Sequence, residues 1–276
     1  MNAALEQKEL GLFAVELNNA DFVAKAREVA RLVCSIHGSV TVDQVRTHPA
    51  MKDLQRTITG VEAGGEMNIL ITGGLGFIGS ALANLLCLEH AVTVLTRSLK
   101  GLSRLTRPER VTILEKSVLD VKSDDCAGMD LVIHCASTVD NYHVLTDPYL
   151  DIQTNCMGTI ALLEACKISK PRLIYVSTFF VYGNAPQLPV DESSPCAPRA
   201  LYPATKLCAE QMCQLYHRLY NWPITICRLS NVYGPRESHD NPNKAALNHL
   251  IWKAMQGEPL EVYDGGNFPR DYLYID

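Results

Sequence analysis

The sequence predicts an α/β protein built on a doubly wound parallel sheet, and three observations carry that prediction. Short apolar runs alternate with helix-like segments from Met67 onward. The runs are apolar at nearly every position, as strands buried on both faces must be. The first run, Ile69–Thr72, opens directly into a turn holding Gly73, Gly76 and Gly79. This is a Rossmann-type arrangement, joined here to a small N-terminal helical appendage.

In chain order, residues 1–60 read as the appendage. Asp21–His37 puts Phe22, Val23, Ala26, Val29, Ala30 and Val33 on one face of a helix. Gly38 stops it, and Thr41 is placed to cap a second, shorter helix through Arg46. Such a pair fits a helix-turn-helix module as well as a plain helical hairpin. With no basic cluster to mark a recognition helix, the hairpin is favoured. Residues 61–66 follow as a glycine-rich linker, and residues 67–276 form the main domain. Its strands are expected at Ile69–Thr72, Ala91–Thr96, Val111–Leu114, Leu131–His134, Leu173–Ser177 and Ile224–Leu229. Its helices are expected at Phe77–Leu88, Thr154–Ile168, Tyr202–Tyr220 and Ala245–Gln256.

Composition narrows the function classes. A chain of 276 residues can bury one large core plus a small appendage, and 47% hydrophobic with 20% charged residues is ordinary for a soluble protein. A net charge of -5 with no Lys/Arg run argues against nucleic acid as the main partner. No apolar stretch approaches the roughly 20 residues of a membrane span, and the first residues lack the pattern of a signal peptide. None of the ten cysteines sits in a CxxC, and Cys87, Cys135, Cys156, Cys166 and Cys227 lie inside apolar segments. They read as small buried hydrophobes of a reducing compartment rather than as disulfides or a metal site. A cytoplasmic location without a bound metal is expected.

The glycine turn is the first chemical signal. Gly73 allows a tight turn, Gly76 lets backbone approach a pyrophosphate, and Gly79 lets the following helix pack closely on the strand. The N-terminus of that helix offers free amides and a positive dipole end to phosphates. A second signal is Tyr202-Pro-Ala-Thr-Lys206, which sets a phenol and an ammonium at i and i+4 on one helical face. Of eleven tyrosines, Tyr202 alone has a lysine four residues on. An adjacent ammonium would lower the phenol's pKa toward working pH and make Tyr202 a general acid/base for alcohol–ketone interconversion. The strand at Leu173 ends in Ser177 and Thr178, whose hydroxyls are expected at the carboxyl edge of the sheet. Thr178 could there hydrogen-bond the same substrate oxygen as Tyr202; a capping role is the alternative.

From Met67 on, the chain resembles an extended short-chain dehydrogenase/reductase of the nucleotide-sugar epimerase/dehydratase family. The resemblance rests on Thr72–Ser80 (TGGLGFIGS), Asp130–Ser137, Asn155–Thr159, VSTFFVYG, Pro189–Pro195, YPATK, Arg228–Arg236 and Arg270–Asp276. It implies a catalytic set of Thr178, Tyr202 and Lys206. It implies cofactor contacts at Gly73, Gly76, Phe77, Ile78, Gly79, Arg97, Ser117, Val118, Cys135, Ala136, Ser137, Asn155, Tyr202, Lys206 and Leu229. Thr178, Tyr202, Asn231 and Arg270 would hold a nucleotide sugar, with Arg270 offering a planar fork to its diphosphate. A homodimer through the Thr154–Ile168 and Tyr202–Tyr220 helices is also implied.

Departures from the family pattern sharpen the expectation. Family dehydratases carry an Asp-Glu pair after the Ser-Thr, and decarboxylases a carboxylate; Phe179 and Phe180 stand here and cannot transfer protons. At the end of the second strand, NAD-binding members have a carboxylate for the ribose 2′-OH, whereas this chain has Arg97. Arg97 favours NADP by pairing with a 2′-phosphate; with Arg97 stacked on adenine instead, NAD remains the alternative. Ser117 replaces the family's usual adenine-binding Asp. The family also continues past the segment ending at Asp276, so the resemblance implies a partial C-terminal substrate lobe, its sugar-binding part clipped. The functional expectation is a nucleotide-sugar 4-epimerase using NAD(P). The alternatives are an NADPH-dependent 4-ketoreductase and a non-catalytic dinucleotide sensor.

Overall fold

A computed structural model describes residues 65–138, 147–238, 246–260 and 270–275, together with the backbone of 12–16. The helices expected at Asp21–His37 and Thr41–Arg46 lie outside the described residues. In chain order the elements are β1 (Leu12–Glu16), β2 (Asn68–Thr72), α1 (Phe77–Leu86), β3 (Ala91–Thr96), β4 (Val111–Glu115), α2 (Ser123–Cys126) and β5 (Leu131–His134). There follow α3 (Pro148–Asp151), a π turn (Ile152–Met157), α4 (Gly158–Cys166), β6 (Arg172–Thr178), α5 (Leu201–Tyr220) and β7 (Ile224–Leu229). β8 (Asn231–Tyr233), α6 (Ala246–Met255) and β9 (Tyr272–Tyr274) complete the order. Among the described residues, no helix is long and apolar enough to cross a membrane.

Seven strands form the main sheet in the order β1-β7-β6-β5-β2-β3-β4. β2 to β7 pair in parallel, and β1 adds antiparallel to the outer edge of β7, with Leu12 opposite Leu229. No strand is expected from sequence before residue 67. A five-residue apolar run carries little signal when its partner strand lies at the far end of the chain. From β2 the chain winds outward one way through β3 and β4 and the other way through β5, β6 and β7. The carboxyl ends of β2 and β5 therefore flank the topological switch point, where ligands of such sheets bind.

Alternate residues of β2 explain its unbroken apolar character. Leu70 joins Val132, Leu163, Tyr175, Trp222 and Ile226 in the core on one face. Ile69 and Ile71 join Ala83, Val94 and Ile133 on the other. Helices lie against both faces, α1 on one and α4 and α5 on the other.

The helix expected at Thr154–Ile168 starts earlier and is less regular. Asp147 caps α3 by accepting from Leu150 N at 3.2 Å, and Pro148 supplies the fixed φ suited to a first turn. The chain then widens into the π turn before continuing as α4. α5 ends at Asn221, which takes the left-handed conformation at φ 47°. Within the core, His134 bridges the end of β2 to α4, 2.6 Å from Thr72 Oγ1 and 3.0 Å from Thr159 Oγ1. The Thr159 hydroxyl donates to the Asn155 carbonyl at 2.6 Å, so His134 Nε2 carries the proton and Nδ1 accepts from Thr72. Burial lowers His134 to about 3, which keeps it neutral.

Candidate active site

Gly73, at φ 67°, turns the chain off β2. Its amide donates to the Leu95 carbonyl at 2.8 Å, and a Cβ there would lie 2.7 Å from Ala136 Cα. A Cβ on Gly79 would collide with the Gly73 carbonyl and come within 2.7 Å of Gly74 Cα. Glycine is what lets α1 begin this close to the strand. A Cβ on Gly76 would meet one atom, the Gly73 carbonyl oxygen at 3.0 Å, so that side of the turn is open. Phe77 and Ile78 open α1, whose first amides have no helical partner. A backbone cradle followed by a helix N-terminus fits the diphosphate of a dinucleotide.

The other expected cofactor residues fall at the carboxyl ends of neighbouring strands. Arg97 is exposed immediately after β3. Beyond β4, Ser117 accepts from Leu119 N at 3.2 Å, and Val118 is buried beside Gly158, where an added Cβ would come within 2.5 Å of it. Cys135, Ala136 and Ser137 follow β5, with Ala136 against the glycine turn. Leu229 ends β7 directly opposite Thr178.

Three hydroxyls meet beside this cradle. The half-buried Tyr202 phenol lies close to the Thr178 and Ser137 hydroxyls, whose polar contact favours its ionised form against the effect of burial. Thr178 sits at the last position of β6 and accepts from Phe180 N at 3.3 Å. Tyr202 stands in the first turn of α5. The end of one strand, the loop after another and the start of a helix thus converge on a single oxygen.

Two expectations are corrected. Lys206 is buried, and its ammonium donates to the Val176 carbonyl at 2.6 Å and lies 4.2 Å from the centre of the Tyr175 ring. It does not pull the Tyr202 phenol down. Burial pushes that phenol up to about 12, the hydroxyl contacts with Thr178 and Ser137 oppose the rise, and the Asp151 carboxylate adds to it. Burial likewise lowers Lys206 to about 8. Ser177 does not present its hydroxyl at the carboxyl edge. Adjacent residues of a strand point to opposite faces, and Ser177 donates instead to the buried carboxylate of Glu210 on α5. Glu210 in turn holds Arg228 of β7, with Nη2 to Oε2 at 2.7 Å.

Asn155 lies beneath the site with its amide saturated by protein groups. Its Oδ1 accepts from Ser137 Oγ at 2.9 Å and from Thr138 N at 3.0 Å, and its Nδ2 donates to Thr138 O and Thr205 Oγ1. Asp151, which the motifs do not single out, accepts from Thr138 Oγ1 at 2.5 Å. Asp151, Asn155 and Thr159 recur at every fourth residue of one helical stretch, and all three are buried. That spacing of polar residues in an apolar helix was the available signal.

Asn231 and Arg270 are brought together by a small second sheet in which β8 pairs with β9. Asn231 Nδ2 donates to the Asp271 carbonyl at 2.9 Å, next to the exposed Arg270. The Tyr233 ring lies 5.8 and 5.3 Å from those of Tyr272 and Tyr274. The Phe179 and Phe180 rings lie 4.1 Å apart, tilted by 33°, directly after Thr178.

Comparison with known proteins agrees with this geometry. Residues 69–276 match the model of the NAD dependent epimerase/dehydratase family. UDP-glucuronic acid decarboxylase 1 of Xenopus tropicalis is 32% identical over 217 residues, covering 75% of this chain and 50% of the relative. This chain thus spans about half the length of that protein. Among solved structures, UDP-N-acetylglucosamine 4-epimerase from Methanobrevibacter ruminantium M1, in complex with UDP-N-acetylmuramic acid, superposes with a TM-score of 0.72. It is 29% identical, with 76% of this chain and 69% of that one covered. UDP-glucuronic acid 4-epimerase from Bacillus cereus, in complex with UDP-glucuronic acid and NAD, gives 0.67 at 30% identity, with 76% and 69% covered.

Proposed function

We propose that this chain, which belongs to the NAD dependent epimerase/dehydratase family, acts as a nucleotide-sugar 4-epimerase. The observation that carries the reading is the meeting of the Thr178, Ser137 and Tyr202 hydroxyls beside the glycine cradle. Tyr202 is the acid/base group for the sugar's C4 hydroxyl, and Thr178 steadies that oxygen by hydrogen bonding. Asn231 and Arg270, on adjoining segments, receive the nucleotide diphosphate. The cradle and the loop Cys135–Ser137 hold a nicotinamide dinucleotide, which supplies a hydride acceptor and donor when bound. Phe179 and Phe180 weigh against dehydration and decarboxylation, since neither ring can move a proton. Incubation with UDP-sugars and cofactor, followed by NMR, should show inversion at C4 without net cofactor reduction. Absence of C4 exchange with every UDP-hexose and UDP-hexuronate tried would overturn the proposal.

Arg97 supports a preference for NADP and, with it, a 4-ketoreductase as the second reading. Its side chain is exposed at the end of β3, and no carboxylate occurs from Arg97 to Arg107 to repel a 2′-phosphate. Calorimetric titration with NADP and with NAD tests it, and net NADPH consumption would separate reductase from epimerase. A homodimer is supported by the exposed Met157, Ile168, Leu215 and Leu219 on or beside the π turn, α4 and α5. Light scattering of the purified chain reads its mass directly.

A further inference from the structure

Behind the three hydroxyls of the site lies a buried layer of polar side chains. Asp151 and Thr138 are 1% and 4% exposed, and the threonine hydroxyl donates to Asp151 Oδ1 at 2.5 Å. The Thr138 backbone is clamped on both sides by the Asn155 amide. Ser137, immediately before it, donates to the same amide oxygen and lies near the Tyr202 phenol. The segment Ser137–Thr138 is therefore suspended between Tyr202 above and the Asp151/Asn155 pair below. Asp151 comes into line because the chain widens into a π turn right after it, a distortion common at functional sites.

We propose that Asp151 is a positioning residue of this site: by anchoring the Thr138 hydroxyl it fixes Ser137 against the Tyr202 phenol. It thereby has two separable effects, one geometric through Thr138 and one electrostatic through its charge. The charge adds to burial in disfavouring phenolate. The other titratable groups around the pair are Lys206 on α5, Tyr175 on β6, Cys135 after β5 and Cys156 in the π turn. The proposal rests on the reading of Tyr202 as acid/base group, but its first test needs no substrate.

Ultraviolet difference titration of the full chain, with Tyr202→Phe as the reference, isolates the ionisation of this phenol. Asp151→Asn keeps an oxygen acceptor for Thr138 while removing the charge. It should shift Tyr202 ionisation down by about one pH unit, or about tenfold more phenolate at a given pH. Asp151→Glu should restore the original titration. A folded Asp151→Asn protein whose phenol titrates with the parent overturns the electrostatic half. Thr138→Val leaves the charge and removes the hydroxyl. It should lower kcat about tenfold with little change in KM, and an unchanged kcat overturns the geometric half, including where Asp151→Asn does not fold. Tyr202→Phe with full activity would instead sink the acid/base reading, while the difference titration, which needs no turnover, would still decide the electrostatic half.

Discussion

Lys206 and Tyr202 stand one turn apart on α5, yet their polar ends reach different partners. The ammonium is drawn to the Val176 carbonyl and the Tyr175 face, both on β6, while the phenol reaches the ends of β5 and β6. The i, i+4 spacing was legible because it is local. The direction of the ammonium was not, because the carbonyl that captures it lies 30 residues away in sequence. In the same way Ser177 and Thr178 look alike as neighbours, and only the pleat of β6 sends one to Glu210 and the other to Tyr202. The site assigns unequal weights to its hydroxyls. Tyr202→Phe should lower kcat by about 100- to 10,000-fold, the range for a general acid/base, while leaving cofactor affinity by calorimetry near that of the parent. Thr178→Val removes one hydrogen bond to the reacting oxygen and should cost about tenfold in kcat. Equal losses in the two variants would contradict this division of roles.

At the scale of elements, α5 is pinned to the sheet by an ion pair that joins three of them. Glu210 on α5 accepts from Ser177 on β6 and from Nε and Nη2 of Arg228 on β7. Removing one partner strands a buried charge, so Glu210→Ala should destabilise the fold by about 3–5 kcal/mol, measured by urea unfolding. A loss below about 1 kcal/mol would show the pair to be solvated. The single arginine within the apolar run ITICRL was the sequence trace of this pin. Long apolar runs marked strand limits closely: Ala91–Thr96, Leu131–His134 and Ile224–Leu229 stand as read. β8 and β9 escaped because three residues carry no periodicity, and the π turn escaped because its polar stripe resembles that of an ordinary helix.

Across the whole molecule, the doubly wound plan was legible from alternation of apolar runs and helices, since burial on both faces leaves a strong compositional mark. The pairing of β1 with β7 was not, because an edge contact between chain ends leaves none. His134, at the centre of the sheet, ties the fold to pH. Its folded-state pKa is lowered to about 3 from 6.5, so below pH 6.5 the unfolded chain takes up a proton that the folded chain refuses. Stability is therefore complete above about 6.5 and declines as pH falls toward 3, by about 2 kcal/mol between pH 6.5 and 5 from this residue. Thermal unfolding of His134→Gln should show a shallower loss over that interval than the parent does. Parallel curves for the two proteins would deny His134 this part.

The stripe of Asp151, Asn155 and Thr159 also sets a rotational phase. Each of the three meets its own partner on the β5 end, so the helical stretch can touch the sheet correctly in one angular setting only. Deleting a single residue from Ile152–Met157 would turn everything before it by about 100° and swing Asp151 away from Thr138. Insertions and deletions that a surface loop absorbs are thus barred from this stretch: its length, as much as its composition, is part of the site.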